Sequence, residues 1–531
     1  MRLKHLLATI AALAAYSAGA DIWMPSFFNA NMVLQREKPV KIWGTSDANA
    51  KIEISFAGQK KSAKADADGN WTVTLDPMKA SDKGADLRVL ENGKAGNPKS
   101  DITLPDVLVG EVWLLSGQSN MEWPLRLTTD YEKAKSRANY PEMREMKIIG
   151  FAAEPQKNIE SGSHLTKIDV ASGGAKDKTP WRKTDPESIA GYSGVGFYFA
   201  EFLQKNLGVP VGIINTSLGG SAMRAWIPEG EMEKVPYLKR DLEKYKIAMA
   251  EYDYDAAMKK YEAAMEKFKA DKAAGKKVWP PKKPNPISCR AAQSMPSGLF
   301  NARIAPIAGF AIRGILWYQG ESDSFGDSLA AFEEQMKTLV PAWRKAWNDQ
   351  SIGFYQVMLT SFQTGWKWPE TRLAQCRAAQ SIPACHIVNI MDIGAKKDIH
   401  PRNKTDVGKR LWLCAWRNAY GNDKIPDNFA ALDAAEFKGD CAKVGFGGAN
   451  AGRKFTCKGT PRGFEVKSKG KWIKAPFAEL EGDKIVLHTA DNSEIEGVRY
   501  LWNNAVESGD VCLWLADDMP VFPSMIEKQS D

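Results

Sequence analysis

The order of apolar and polar positions divides the chain into regions with different periods. Between residues 21 and 105 the period is two, as in 51–56 and 71–75, where apolar and polar side chains alternate. Turn residues at 67–70 separate such segments. Short alternating strands joined by turns predict an N-terminal β domain over 21–105 that resembles a small sandwich.

From residue 106 continuous apolar runs alternate with segments of helical period. The runs predict buried strands, and the helical segments carry apolar side chains every three to four positions. Strands are predicted at 107–115, 211–214, 312–318, 354–359 and 387–391, and helices at 328–347, 369–380 and 403–419. Strands that alternate with helices indicate an α/β domain over 106–421, with a parallel sheet covered by helices on both faces.

Two further segments depart from this alternation. Residues 236–285 carry Met and Tyr opposite Lys and Glu at helical spacing, which predicts a helical hairpin inserted into the α/β domain. Two interpretations of this hairpin remain open: a solvent-exposed helical insertion, or a lid or partner surface. Short strands return from 422 to 531, for example at 484–487 and 498–502, and predict a C-terminal β-rich region.

The first twenty residues have the pattern of a targeting segment. Arg2 and Lys4 precede a short apolar run at 6–16, and small residues at 18–20 offer a cleavage site. This pattern predicts a secretory signal peptide over 1–20 and an exported protein, periplasmic or extracellular. No later apolar run is long enough for a bilayer, so a membrane span is not expected.

Charge and cysteine content narrow the possible partners. The 531 residues carry a formal net charge of +8, which is mild for this length and does not indicate a nucleic-acid partner. The seven cysteines include no C-x-x-C pair, which argues against a zinc or redox site.

Three of the predicted strands end in clusters of small and polar residues. They are Ser-Gly-Gln-Ser-Asn at 116–120, Leu-Gly-Gly-Ser at 218–221 and Tyr-Gln-Gly-Glu-Ser-Asp at 318–323. Ligands of an open parallel sheet bind outside the carboxyl ends of its strands, so these clusters predict one site. The first offers a serine nucleophile, the second backbone N–H groups of glycines, and the third an amide donor.

A serine nucleophile needs a base, and histidines are few. Beyond the predicted signal peptide the chain has only four, His164, His386, His400 and His488. His400 follows the predicted strand 387–391 and therefore lies at the carboxyl edge of the sheet. Asp398, two residues earlier, would point to the same side of an extended segment and fix the imidazole tautomer.

Three segments resemble the signature blocks of a known enzyme family. The blocks are Gly-Gln-Ser-Asn-Met at 117–121, Trp-Tyr-Gln-Gly-Glu-Ser-Asp at 317–323 and Asp-Ile-His-Pro at 398–401; segments within 24–36 and 109–113 are similar too. The family is that of the sialate O-acetylesterases, which belong to the SGNH (GDSL-type) hydrolases. The resemblance runs from about residue 22 to 415 and implies a flavodoxin-like three-layer α/β/α sandwich with β-rich companions.

The resemblance implies a role for each matching residue. Ser119 matches the nucleophile and His400 the base. Gly220 matches a backbone donor of the oxyanion hole, although the adjacent Gly219 is not separable from it. Gln319 stands where related enzymes place an Asn donor.

The acidic member of the triad is less determined. Many enzymes of this kind carry it three residues before the histidine, where this chain has Lys397. Asp398 is therefore the expected third member and Asp392 the alternative, and a Ser-His dyad is also open.

The implied reaction is acyl transfer. Ser119 attacks an acetyl carbonyl while His400 accepts its proton, and water then releases acetate, so neither a metal nor a cofactor is required. The expected substrate is an acetylated sugar, most specifically 9-O-acetylated sialic acid. Acetylated xylan or another polysaccharide is the alternative. A non-catalytic carbohydrate-binding protein on a hydrolase scaffold is the third possibility, but both Ser119 and His400 are present.

Further side chains are candidates for contact with the sugar. The expected substrate-binding residues are Gln118, Asn120, Glu321 and Arg224. Two roles remain open for Arg224: binding of a sialate carboxylate, or an ion pair within the protein. Three tryptophans have two possible placements, in a sugar-binding cleft or in the core: Trp123, Trp226 and Trp366.

Overall fold

The computed structural model describes residues 21–161, 180–426, 429–507, 509–516 and 518–528. The predicted signal peptide and His164 lie outside these residues. Within the described parts of the chain, no helix is both long and apolar enough to cross a membrane.

The N-terminal region consists of strands. They are β1 (Val33–Gln35), β2 (Val40–Thr45), β3 (Lys51–Phe56), β4 (Gln59–Lys64), β5 (Asn70–Leu75), β6 (Ser81–Glu91) and β7 (Asp101–Gly117). In β5 the side chains of Trp71, Val73 and Leu75 are buried and those between them are exposed, as the alternation predicts. Residues 41–75 and 86–103 form one compact unit.

The α/β part of the chain belongs to a second compact unit, which also includes the C-terminal region. Its further strands are β8 (Tyr140–Ile149), β9 (Glu160–Ser161), β10 (Trp181–Thr184), β11 (Val211–Asn215), β12 (Gly314–Tyr318), β13 (Gly353–Val357) and β14 (Cys385–Val388). Its helices are α1 (Ser119–Glu122), α2 (Tyr131–Arg137), α3 (Gly194–Leu207), α4 (Glu229–Met232), α5 (Pro236–Ala250), α6 (Tyr254–Ala273), α7 (Gly326–Ala330), α8 (Phe332–Trp347), α9 (Trp368–Ser381) and α10 (Lys404–Asn418).

Seven strands of this part follow the order β10-β8-β11-β7-β12-β13-β14 in one sheet. The neighbours from β8 to β14 are all parallel, whereas β10 is antiparallel to β8. The sheet is therefore mixed, and the prediction of a purely parallel sheet was wrong at this edge. Strands β8 and β10 are rich in charged residues and lack the continuous apolar run of a buried strand, so the pattern did not indicate them.

Helices cover both faces of this sheet. In β12, Leu316 belongs to the core cluster formed with side chains of α3 and α10. The next residue, Trp317, faces the other side and packs edge-on against Trp343 of α8, with ring centroids 5.8 Å apart. Strands β11 and β12 are buried along their whole length, which explains their continuous apolar sequences.

The helical hairpin predicted at 236–285 is present as α5 and α6. Helix α5 buries Leu238 and Leu242, whereas α6 buries no residue. The helix predicted at 328–347 is divided into α7 and α8, because the backbone leaves the helical conformation at Ala331 (φ −97°, ψ 10°).

The C-terminal region is made of short strands. They are β15 (Ala434–Lys438), β16 (Cys441–Gly445), β17 (Thr456–Cys457), β18 (Phe464–Ser468), β19 (Lys471–Lys474), β20 (Phe477–Glu481), β21 (Lys484–His488), β22 (Gly497–Tyr500), β23 (Leu513–Ala516), β24 (Met519–Pro520) and β25 (Ser524–Glu527). They form the sheets β15-β16-β21-β20, β19-β18-β22-β25 and β17-β23-β24. One core cluster joins side chains of this region to Met358 and Met391 of the α/β part.

Candidate active site

The turn that carries Ser119 is shaped by Gly117 at the end of β7. Gly117 has a φ of 122°, and a Cβ at this position would lie 2.2 Å from the carbonyl oxygen of Tyr318, so only glycine fits. The next N–H, that of Gln118, donates to the same Tyr318 oxygen over 2.9 Å. Ser119 is then the first residue of α1 and lies at the carboxyl edge of the sheet.

The structure brings the three polar clusters together at this edge. The carbonyl oxygen of Gly117 accepts the Leu218 N–H at 3.0 Å and the Ser221 hydroxyl at 3.3 Å. The Ser322 N–H donates to Oε1 of Gln118 over 3.3 Å. The clusters meet because β7 lies between β11 and β12 in the sheet.

His400 lies directly against the serine. Its Nε2 is 2.8 Å from Oγ of Ser119, and its ring stacks on Trp123 with centroids 4.5 Å apart and planes 19° from parallel. Burial and the nearby Lys404 ammonium lower the pKa of His400 below its usual 6.5. The imidazole is therefore neutral at neutral pH and able to accept a proton.

The two candidate acids occupy different places. Oδ1 of Asp398 accepts the backbone N–H of His400 at 2.9 Å and lies 4.0 Å from its Nδ1, which is beyond hydrogen-bond distance. Asp392 instead binds Arg410 through both carboxylate oxygens, at 2.6 and 2.7 Å. Of the two, Asp398 is the one next to the imidazole.

The neighbouring glycines differ in what their N–H groups contact. The Gly219 N–H donates to Oε2 of Glu122 over 2.6 Å, and Lys147 holds the other oxygen of that carboxylate at 2.7 Å. Gly220 has a φ of 73°, and its N–H meets no acceptor among the described residues. An oxyanion requires an N–H without an acceptor, which Gly220 offers and Gly219 does not, and the oxyanion role of Gly220 stays a prediction.

Gln319 is fully buried and its amide nitrogen is engaged inside the protein. Nε2 donates to the carbonyl oxygen of Ser221 at 3.2 Å and to Oδ2 of Asp323 at 2.5 Å. The same Asp323 oxygen accepts the Met223 N–H at 2.9 Å. Gln319 thus joins the second cluster to the third, and its role as an oxyanion donor stays a prediction.

A buried lysine is hydrogen-bonded to the residue that follows Ser119, and the sequence pattern did not indicate it. Nζ of Lys404 donates to Oδ1 of Asn120 over 2.6 Å, and Nδ2 of Asn120 donates to Oε1 of Glu321 over 2.6 Å. Lys404 lies over the ring of Tyr318, 5.2 Å from its centroid. Two of the predicted substrate-binding residues, Asn120 and Glu321, are therefore engaged within the protein.

Burial shifts the ionisation of this lysine and glutamate. Desolvation lowers the pKa of Lys404 to about 7, although the Glu321 carboxylate acts in the opposite direction. Desolvation also raises the pKa of Glu321 above its usual range. For both groups burial therefore favours the uncharged form, as expected for ions removed from water.

The remaining candidates divide between the core and the surface. Arg224 pairs with Asp241 of α5 at 3.0 Å and donates to the Tyr237 hydroxyl at 2.5 Å, so it forms an ion pair within the protein. Trp226 is buried and packs against Trp317, with ring centroids 6.0 Å apart. Trp366 is half-exposed.

The chemistry that this site supports follows from its groups. It combines a serine hydroxyl, a neutral imidazole that can accept its proton, and an N–H without an acceptor, which is the equipment for acyl transfer. Across the described ranges, no cluster of three or more His, Cys, Asp or Glu residues is arranged to hold a metal ion. The arrangement defines an α/β enzyme of the hydrolase class.

Comparison with known proteins identifies the family. The model of the family "Carbohydrate esterase, sialic acid-specific acetylesterase" matches residues 109–275 and 297–413, more than half of the chain. The chain is 26% identical to the sialate O-acetylesterase of Rattus norvegicus over 79% of this chain and 78% of that protein. It is also 26% identical to the human sialate O-acetylesterase, over 77% of this chain and 73% of that protein.

A solved structure resembles nearly the whole chain. It is that of a carbohydrate acetylesterase from Xanthomonas citri, with a TM-score of 0.75 and 27% identity over 96% of this chain and all of that one. The protein belongs to the sialic acid-specific acetylesterase family of carbohydrate esterases, which confirms the resemblance of the sequence blocks. It is an enzyme, a carboxylic ester hydrolase, and its relatives support activity as a sugar acetylesterase.

Proposed function

We propose that this protein is an exported serine esterase of the SGNH type that removes O-acetyl groups from sugars, with 9-O-acetylated sialic acid as its substrate. The observation that carries the proposal is the 2.8 Å contact between Oγ of Ser119 and Nε2 of His400. The substrate is proposed from the relatives named sialate O-acetylesterase. Export is proposed from the signal-peptide pattern over residues 1–20.

The first half-reaction forms an acetyl-enzyme. Oγ of Ser119 attacks the acetyl carbonyl carbon while Nε2 of His400 takes the hydroxyl proton. The N–H groups of Ser119 and Gly220 stabilise the oxyanion, and loss of one such donor typically costs roughly a hundred- to a thousand-fold in kcat. Gln319 would join them as a third donor by exchanging its bond to the Ser221 oxygen for one to the oxyanion.

Collapse of the tetrahedral intermediate breaks the bond to the sugar oxygen. The imidazolium of His400 returns its proton to this oxygen, and the sugar leaves as an alcohol. His400 then takes a proton from water, whose oxygen attacks the acetyl carbon. The second intermediate collapses by breaking the bond from this carbon to Oγ of Ser119, the imidazolium returns its proton to Oγ, and acetate leaves. The Asp398 carboxylate, 4.0 Å from Nδ1, stabilises the imidazolium through its charge.

The test is acetate release by the wild type and by Ser119→Ala, with 9-O-acetylated sialic acid and acetylated xylan side by side. We expect the substitution to abolish release, because the oxygen that forms the acyl bond is removed. Ser136→Ala, on the exposed face of α2, is the matched control and should retain full activity.

The preferred substrate decides the sugar class in the same assay. Faster release from the sialic acid supports the proposed substrate, and faster release from xylan replaces it with a polysaccharide. A folded wild type that releases acetate from neither sugar nor from a small activated acetate ester would refute the esterase proposal.

A further inference from the structure

Two aromatic side chains are exposed at the carboxyl edge of the sheet. Phe325, which follows the third polar cluster, is 51% exposed, and Trp366, in the loop after β13, is 41% exposed. Their ring centroids are 6.0 Å apart and their planes 39° from parallel. Aromatic side chains that cluster at a protein surface mark a place where a ligand can pack, so an exposed pair at this edge calls for an explanation.

Phe325 is tied to the nucleophile turn through a short stretch of backbone. The N–H of Ser322 donates to the side chain of Gln118, the residue before Ser119. Phe325 is three residues beyond Ser322, and three residues span at most about 11 Å even when fully extended. The ring is therefore close enough to Ser119 for one glycan chain to contact both.

The loop of Trp366 is fixed between the two loops that supply the site. On one side the Lys367 N–H donates to the carbonyl oxygen of Ser324 over 3.2 Å. On the other side the Gln363 N–H donates to the carbonyl oxygen of Lys396, four residues before His400, over 2.9 Å. The backbone beside Trp366 is thus hydrogen-bonded both to the loop that carries Glu321 and to the loop that carries His400.

The loop between β14 and His400 packs so closely against the loop after β13 that the contact requires a glycine. A Cβ at Gly394 would lie 2.5 Å from the backbone nitrogen and oxygen of Ser361. This close contact restricts the movement of the loop that carries Trp366. A sugar that stacks on the Trp366 ring therefore meets a loop that is already positioned.

We propose that Phe325 and Trp366 form an accessory subsite that binds a second sugar ring of an acetylated oligosaccharide or polysaccharide. The apolar face of a pyranose ring packs on an aromatic face, while the acetylated sugar of the same chain reaches Ser119. This inference rests on the proposed esterase function and specifies its substrate further, as a glycan chain rather than a free monosaccharide.

The test compares substrates that reach the pair with substrates that do not. The variants Phe325→Ala, Trp366→Ala and the double substitution are assayed with a small activated acetate ester, with 9-O-acetylated sialic acid, and with two oligosaccharides. The oligosaccharides are 9-O-acetylated sialyllactose and acetylated xylo-oligosaccharides. For the oligosaccharide that the wild type deacetylates, we expect each single substitution to raise KM roughly tenfold at unchanged kcat. The small ester and the monosaccharide should be unaffected within about twofold.

Matched controls come from exposed aromatic residues elsewhere. Phe477 of β20 is 57% exposed and Trp279 is 86% exposed, so Phe477→Ala and Trp279→Ala remove similar rings from segments that carry no residue of the site. Both controls should behave as the wild type with every substrate. An unchanged KM for the oligosaccharide in the double variant would overturn the subsite, and so would an equal loss on all substrates.

A binding measurement separates this inference from the esterase proposal. Calorimetry with Ser119→Ala and the deacetylated oligosaccharides requires no turnover. Weaker binding after the double aromatic substitution supports the subsite even where acetate release fails, and equal binding with and without the rings overturns it.

Discussion

Asp398 acts on His400 through two contacts of different kinds. Its Oδ1 accepts the backbone N–H of His400, which fixes the loop, and its charge lies 4.0 Å from Nδ1. The carboxylate raises the pKa of His400, whereas burial, Lys404 and Arg402 lower it. At the scale of this residue, the loop contact and the charge can be separated by one substitution.

Asp398→Asn keeps an oxygen that can accept the N–H and removes the charge. We expect kcat/KM at pH 7 to fall roughly tenfold to a hundredfold, less than the ~10⁴-fold loss seen where the acid is hydrogen-bonded to the imidazole. Without the carboxylate the pKa of His400 falls further. The acidic limb of the pH profile of kcat/KM should therefore move to lower pH.

Asp392→Asn is the control for this prediction. Its carboxylate is bound to Arg410, so the substitution should leave the acidic limb in place. If Asp392→Asn instead moved the limb and Asp398→Asn did not, Asp392 would be the acid of the site.

The start of helix α10 determines how Lys404 enters the site. Asn403 caps the helix by accepting the Asp406 N–H at 3.1 Å, and Lys404 is the first helical residue. The helix begins four residues after His400, and its first side chain is buried and reaches Asn120, the residue after Ser119. Its ammonium group lowers the pKa of His400 and orders Asn120.

Lys404→Met keeps the apolar stem and removes the ammonium. The pKa of His400 should rise, and the acidic limb of kcat/KM should move to higher pH, opposite to the effect of Asp398→Asn. We expect kcat to fall roughly tenfold, because Asn120 loses a charge-assisted hydrogen bond.

The control lies on the same helix. Lys409 pairs with Asp518 away from the serine, so Lys409→Met should leave the pH profile unchanged. An acidic limb that stays in place in Lys404→Met, in a protein that melts as the wild type does, would contradict the electrostatic role.

At the scale of the elements, some features of the fold and the site are predictable from the sequence pattern and others are not. Buried parallel strands such as β11 and β12 are continuous apolar runs, and the structure brings the polar clusters at the strand ends together, as the pattern predicted. Lys404 was not predictable, because a lysine in the first turn of an amphipathic helix is usually solvated. Its burial depends on the contact with Asn120, which lies 284 residues away in the chain.

At the scale of the whole molecule, the two additions to the α/β part differ in how they are held. Helix α6 of the inserted hairpin buries no residue. The ends of the segment 253–284, which contains α6, lie together, since the Tyr252 hydroxyl donates to the carbonyl oxygen of Asn285 over 2.7 Å. Its other helix, α5, is anchored by Asp241, which pairs with Arg224 and Arg290.

Excision of residues 253–284, with a short Gly-Ser linker in their place, should therefore leave the fold intact. We expect cooperative melting and unchanged hydrolysis of a small acetate ester, because neither the core nor the Ser119–His400 pair is touched. A loss of small-ester activity would show that the hairpin contributes to the site.

The C-terminal region contrasts with the hairpin because the α/β part depends on it for its core. Arg372 of α9 is fully buried and donates to the carbonyl oxygens of Asn503 and Asn504 at 2.7 and 2.8 Å. A shared core cluster continues from Met358 and Ile387 to Phe464. Removal of this region leaves a buried guanidinium without half of its acceptors and exposes apolar side chains.

A chain truncated after residue 421 should for these reasons fail to fold, whereas the excised-hairpin variant folds. Circular dichroism during heating should show no cooperative transition, and a dye that binds exposed apolar surface should fluoresce with the truncated chain alone. A truncated chain that melts cooperatively and hydrolyses the small ester would mean that the α/β part is stable by itself. The cost of the broken cluster would then be smaller than the burial of Arg372 implies, and the C-terminal region would be an independent domain.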